Sequence, residues 1–352
     1  MAAALKILAG EIALKRIREN GLSPEMISHF PAAAGGPKWL VLGHLDRYLF
    51  SYWFPADQAP VLGVGASAGA WRLACLAQND PVAAIDRFEA AYVDQHYASR
   101  PTAAEVSREG QRILAAIMQG SDAQQLLQHP WLRINVIAAR CRAWTGHPNS
   151  GLQAVGLAGA VLLNTLHRRG LGLSFERLIA HHPDAPLRLQ ADGFRTHYLP
   201  LSEDNLLPAL NASAAIPRVM ETVSAIPGAV AGPYMDGGMI DYHMDLQLAE
   251  PQGLALMPHF SRRVVTGWLD KFLPWRRARF LQHSVLLCPS EEFIAQLPGA
   301  QVPDRKDFLR YENDDAARLR AWRTAIDASR ALADDFQDCV ARQRFAELAE
   351  PL

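Results

Sequence analysis

Three things are scarce in this 352-residue chain: cysteine, net charge and long apolar runs. Its four cysteines, Cys75, Cys141, Cys288 and Cys339, lie far apart with no paired spacing. That excludes a disulfide framework and a cysteine-based zinc site, and it suits a reducing compartment. The formal charge is −1, without the basic surplus that a nucleic-acid partner favours. The most apolar stretch, residues 152–166, is shorter than the about 20 residues a bilayer span needs. It reads as a buried helix, and no transmembrane segment is expected. The N-terminus makes a poor signal peptide, because Lys6 interrupts the apolar stretch instead of preceding it and Glu11 follows closely. The expected location is cytoplasmic.

What is present is an ordinary globular composition, 49% apolar and 20% charged, enough for a sizeable core. Residues 4–20 carry Leu5, Leu8, Ile12 and Ile17 at helical spacings, with Gly21 placed to end the turn. Residues 27–34 read as a strand closed by Gly35-Gly36-Pro37, and residues 38–50 as a helix. Residues 61–65 form a second strand, and a helix to Gln78 follows. This alternation is that of a parallel sheet covered on its faces. Further on, residues 82–128 are helical in composition, and 132–139, 195–201, 253–257 and 284–288 read as strands. Residues 203–211 read as a short helix. From residue 313, Leu319, Trp322, Ile326, Phe336 and Val340 mark an amphipathic helix or helix pair. There is no internal repeat or low-complexity linker, which favours one compact unit.

Three short segments carry chemistry. Gly65-Ala66-Ser67-Ala68-Gly69 matches G-x-S-x-G between an apolar strand and a helix-forming stretch. In a nucleophile elbow the serine sits on a strained turn, its hydroxyl projects into a cleft, and the next amide (here Ala68) faces a forming oxyanion. A small-residue turn that lets a helix pack on a strand is the plain alternative. Ala34-Gly35-Gly36-Pro37-Lys38 opens the preceding helix, and its amides are free to bind an anion. An ordinary strand-to-helix turn explains it too, but adjacent parallel strands would put it at the same sheet edge as Ser67. Tyr234-Met235-Asp236-Gly237-Gly238 is a tight-turn signal that also offers a carboxylate as general base. Such a base needs its pKa raised by desolvation. His243, His259 and His283 remain as candidate bases of a Ser–His–Asp triad.

Taken in order, these segments resemble the patatin-like phospholipase family, with its glycine-rich oxyanion turn, G-x-S-x-G and distant D-G-[GA]. A fourth segment, residues 212–217 (Ala-Ser-Ala-Ala-Ile-Pro), is similar to the A-S-x-A-x-P stretch of that family. The resemblance covers roughly residues 28–250. It implies a three-layer α/β/α fold with a mainly parallel central sheet, and a Ser67–Asp236 dyad without histidine. It also implies an oxyanion hole from Gly35, Gly36 and the Ala68 amide, with Gly65, Gly69, Gly237 and Gly238 as motif glycines. No metal and no cofactor are expected. The chain then divides into an N-terminal helical segment (1–27), a catalytic domain (28–295) and a C-terminal helical extension (296–352). Ala34 and Trp39 stand where the family has its outer glycines, and a bulky Trp39 would narrow the acyl site.

The implied activity is hydrolysis of phospholipid or neutral-lipid esters through an acyl-enzyme. A soluble ester or thioester hydrolase, an acyl transferase, and a catalytically silent lipid- or protein-binding member are the alternatives. Residues 268–283 mix aromatic and basic side chains, which suits transient, peripheral contact with a membrane surface. A core-packed helix with an arginine-rich solvated face explains them equally. Asp241 and Asp245, four apart, read as one solvated helix face and not as a cation site.

Overall fold

In the computed structural model, which describes residues 3–97, 101–249, 253–312 and 314–352, a core forms on each side of one sheet. The strands are β1 (Leu5–Ala9), β2 (Ile27–Ala32), β3 (Val61–Gly65), β4 (Leu132–Cys141), β5 (Phe175–His181) and β6 (Thr196–Pro200). Then come β7 (Tyr234–Asp236), β8 (Leu254–Pro258), β9 (Ser284–Pro289) and β10 (Ala349–Pro351). They lie in the order β10-β1-β9-β8-β2-β3-β4-β5-β6, with β7 pairing β4. The β1–β9, β4–β5 and β4–β7 pairs are antiparallel and the others parallel, so the protein is α/β with a mainly parallel ten-stranded sheet.

The helices are α1 (Glu11–Asn20), α2 (Gly43–Tyr48), α3 (Ala68–Leu76), α4 (Pro81–Val93), α5 (Ala103–Ile117), α6 (Ala123–Leu127) and α7 (Ser150–Leu166). They continue with α8 (Leu206–Ser213), α9 (Glu291–Gln296), α10 (Asp307–Arg310), α11 (Asp315–Ala328), α12 (Arg330–Ala341) and α13 (Phe345–Leu348). Because strand side chains alternate between faces, Leu132, Ile134 and Val136 of β4 enter one core while Ile137 enters the other. The first core is helix-covered, with α3, α8 and α12 packed on the sheet. The second is closed by irregular chain, including Leu187, Tyr242, Met244 and Val264, and by α7 beside it. Helix α3 is pinned by Arg72, whose guanidinium donates to both Asp46 oxygens at 2.7 Å.

Four expectations change. The helix read over residues 4–20 starts only at Glu11, because Leu5–Ala9 is a strand inserted between β9 and β10. Both ends of the chain thus share the central sheet, and residues 1–27 and 296–352 are not purely helical flanks. Strand β5 was not expected: Glu176 and Arg177 break its apolar pattern, yet Arg177 is fully buried because Asp241 and Asp192 neutralise it. The apolar helix at 152–166 is not buried. On α7 the inward stripe is Gln153, Gly156, Ala160 and Asn164, while Val155, Leu162 and Leu166 are 54%, 62% and 75% exposed. A Cβ at Gly156 would lie 2.6 Å from the Thr145 nitrogen, so a small residue is what lets the helix approach.

Asp241 and Asp245 are likewise not a solvated helix face. Asp241 accepts from Arg177 at 2.6 and 3.0 Å, and Asp245 accepts from Thr266 Oγ1 and the Arg279 and Phe280 amides. Each buried carboxylate is consumed by partners, as burial of a charge requires.

Candidate active site

Strand β4 brings the two candidate side chains, Ser67 and Asp236, together. One of its edges pairs with β5 along Val136–Cys141; the other pairs with β3 up to Val136 and then with β7 from Ala138. β7 therefore continues the line of β3 along a single edge. Gly65 lies opposite Val136 and Asp236 opposite Ala138, so Ser67, two residues beyond β3, meets Asp236 at the end of β7. The parallel β2–β3 pair sets Ala32 beside Gly65, which places the Gly35-Gly36 turn at the same sheet edge.

Ser67 adopts φ 55°, ψ −132° and caps α3, the strained strand-to-helix conformation expected of an elbow serine. Ser67 and Asp236 line one cavity of about 110 Å³, walled also by Gly35, Gly238, Ile216, Met239 and Trp268. Burial raises the Asp236 pKa, opposed first by a hydrogen bond from Ser67, then by the Arg305 charge and the Gly238 amide. The Gly238 amide donates to Asp236 Oδ1 at 2.7 Å. A buried carboxylate of raised pKa is a better proton acceptor than an ordinary aspartate.

The residues 212–217 form a clamp on both partners. The Ser67 amide donates to the Ser213 carbonyl and hydroxyl, each at 3.0 Å, and the Ser213 hydroxyl donates to the Ile137 carbonyl at 2.6 Å. The Asp236 amide donates to the Ala215 carbonyl at 2.9 Å. Ser213 thus ties the turn at Ser67 to strand β4, a task that no motif marked.

Among the described residues, the amides of Gly35, Gly36 and Ala68 have no internal acceptor, whereas that of Ala34 donates to Tyr242. Gly35 is in the cavity wall and Ala68 opens α3, so donors and the positive helix end converge near Ser67. Gly36 takes φ 57° and turns the chain beside the cavity wall, of which it is not itself a part. Trp39 does not narrow the site. It is buried in the helical core, stacked on Phe88 at 3.9 Å, and is not in the cavity wall.

Two motif glycines are required by close approach. A Cβ at Gly69 would stand 2.0 Å from the Ala32 carbonyl oxygen, and one at Gly237 would stand 2.1 Å from that of Ile137. Backbone atoms cannot swing aside as a flexible side chain can. Gly69→Ala is expected to cost about 3 kcal/mol, the upper end for overpacking, read as a lowered urea midpoint at unchanged slope. A midpoint equal to that of the parent protein would mean the turn is looser than described.

Among the described residues, no histidine enters the cavity wall. His243 accepts from the Val265 amide at 2.9 Å and lies in ring contact with His259, 4.3 Å between centroids. Burial holds His243 well below its ordinary pKa and brings His259 down to about 3. Among the described residues, no group of three or more His, Cys, Asp or Glu side chains is placed to hold a metal ion. Nor is any helix there long and apolar enough to cross a membrane. One wall residue, Arg305, comes from the C-terminal region, where no motif pointed. Neither protein-family models nor curated proteins yield a match to the chain.

Proposed function

We propose that this chain is a patatin-like serine acyl-ester hydrolase acting on lipid esters. The observation that carries the reading is the strained Ser67 facing buried Asp236 in one cavity beside free amides. Ser67 Oγ attacks the ester carbonyl carbon while Asp236 accepts the hydroxyl proton. The Gly35 and Ala68 amides, with Gly36 shaping the turn and adding its own N–H, stabilise the tetrahedral oxyanion. Collapse breaks the C–O bond, and Asp236 returns the proton to the leaving alkoxide. Water then attacks the acyl-enzyme with Asp236 as base, releasing the acid and restoring Ser67.

A lipid surface is favoured by the apolar outer face of α7, a helix whose buried stripe meets the 3-10 turn Trp268–Phe272 through the Asn164–Asp270 hydrogen bond. Phe272 and Trp275 are 67% and 66% exposed, and the exposed Arg277 and Arg279 follow in the chain. Aromatic and leucine side chains beside arginines suit anionic headgroups over an acyl layer. Trp268 joins this face to the cavity, since it lines both. The cavity volume favours a second reading, a soluble short-chain ester, because about 110 Å³ is less than the roughly 150 Å³ that encloses a benzene.

Vesicles of anionic phospholipid separate the two. Leu162→Glu with Leu166→Glu is expected to weaken vesicle binding at least roughly tenfold, since each leucine is worth about 1.5–3 kcal/mol when buried. Ester turnover on the vesicles should fall in parallel. Unchanged sedimentation with vesicles, together with faster turnover of a monomeric butyrate ester, would replace the lipid reading by the soluble one.

A further inference from the structure

Arg305 and Asp236 are the two charged side chains in the cavity wall. Among the described residues, Arg305 forms no ion pair and donates no side-chain hydrogen bond, whereas two cations near it in the fold are matched. Lys38 pairs with Asp304 at 2.9 Å, and Arg310 with Asp307 at 3.3 Å. The turn that carries Arg305 is rigid. The Asp304 amide donates to Asp307 Oδ2 at 2.9 Å, the Lys306 amide to Asp304 Oδ1 at 2.9 Å, and Trp322 Nε1 to Asp307 Oδ2 at 2.9 Å. The guanidinium lies over the glycine turn: a Cβ on Gly36 would stand 3.3 Å from Arg305 Nε. A fork of donors, unspent and held at the mouth of a mostly apolar cavity, is a recognition element for a planar or tetrahedral anion.

We propose that Arg305 is the anion-binding residue of the substrate site, selecting esters that carry a phosphate or carboxylate near the scissile carbonyl. This rests on the reading of Ser67 as nucleophile and adds to it the charge class of the substrate. The surroundings reinforce it. Lys38 and Lys271 also face this corner, and Lys271, burial first and then Lys38 and Arg305, is brought down to about 8. An unpaired guanidinium in the wall of a mostly apolar cavity suits a substrate with an acyl group at one end and an anion at the other. The charge on Asp236 is distinct in function, because it is discharged when it accepts the serine proton.

The experiment compares 4-nitrophenyl pentanoate, which is neutral, with mono(4-nitrophenyl) glutarate, its carboxylate analogue, and with monomeric dibutyryl glycerophosphate as the phosphate arm. In Arg305→Gln the kcat/KM for one or both anionic esters should fall about 10- to 100-fold more than that for the neutral ester, mainly through KM. Arg305→Lys should recover part of the loss. Which of the carboxylate and phosphate arms falls more identifies the anion. In the unaltered protein, butyl phosphate, butyrate or both should compete with the neutral ester and slow fluorophosphonate labelling, while butanol at equal concentration should not. Equal loss on neutral and anionic esters, expressed in kcat, would make Arg305 an oxyanion stabiliser and overturn the proposal. Absence of competition by both butyl phosphate and butyrate would overturn it also, whether or not the variants fold. Loss of fluorophosphonate labelling by Ser67→Ala, measured alongside, shows separately whether the nucleophile assignment stands.

Discussion

Ser67→Ala is expected to abolish labelling by a fluorophosphonate and to lower ester turnover by at least about 10³-fold, the scale on which loss of a nucleophile is felt. The hydroxyl is the sole reactive oxygen offered by the elbow, and the neighbouring Ser213 spends its own on the Ile137 carbonyl. The backbone adds a second signature. At φ 55°, ψ −132° a side chain is strained and glycine is not, so Ser67→Gly should be more stable than Ser67→Ala by about 1–3 kcal/mol. Paired urea titrations of the two inactive variants measure the difference. Labelling that survives in either variant would place the nucleophile elsewhere.

Asp236→Asn is the second large effect, a loss of about 10²–10⁴ in kcat, the range for a positioned general base. Catalysis needs the carboxylate ionised, so kcat/KM should fall as pH drops through the Asp236 pKa. Burial raises that pKa, and the acid limb therefore lies above the range of an ordinary aspartate. Stability runs the other way. Between the unfolded value of about 3.9 and the raised folded value, the folded protein holds more protons than the unfolded chain. Its stability therefore falls as pH rises through that window. Asparagine has no such charge to bury, so Asp236→Asn should melt above the parent protein at pH 7, with the gap closing below about pH 3.9. An acid limb at the ordinary aspartate position, or full turnover by the asparagine variant, would remove Asp236 as base and return attention to the buried histidines.

The candidate site was legible as a place because its turns depend on local backbone demands that leave a mark in the residues themselves. Gly69 and Gly237 stand where a carbonyl oxygen comes within about the length of a bond and a half of a missing Cβ, and β2 and β3 were plain apolar runs. What stayed hidden depends on partners far along the chain. Arg177 can occupy a buried strand only because Asp192 and Asp241 meet it there. β1 joins the sheet because β9 and β10 flank it, while its leucines fit a helical spacing equally well. Helix α7 misled for a different reason. Its buried stripe is polar and small, with Asn164 donating to Asp270 at 2.8 Å. The rule that bulky apolar groups face inward therefore gives the wrong side. Arg305 left no sign, since an arginine after an aspartate in a loop has no pattern until the cavity is seen.

The Lys38–Asp304 pair has a bearing on how this protein can be divided. It joins the amide-rich turn after β2 to a segment more than 260 positions later, across the site between Ser67 and Arg305. Cutting the chain after α9 would strip a largely buried ammonium of its counter-charge and take away β10 as well. The candidate site is thus not a module with a border. Anyone grafting or trimming it must carry the tail along, or supply a neutral residue at position 38 in its place.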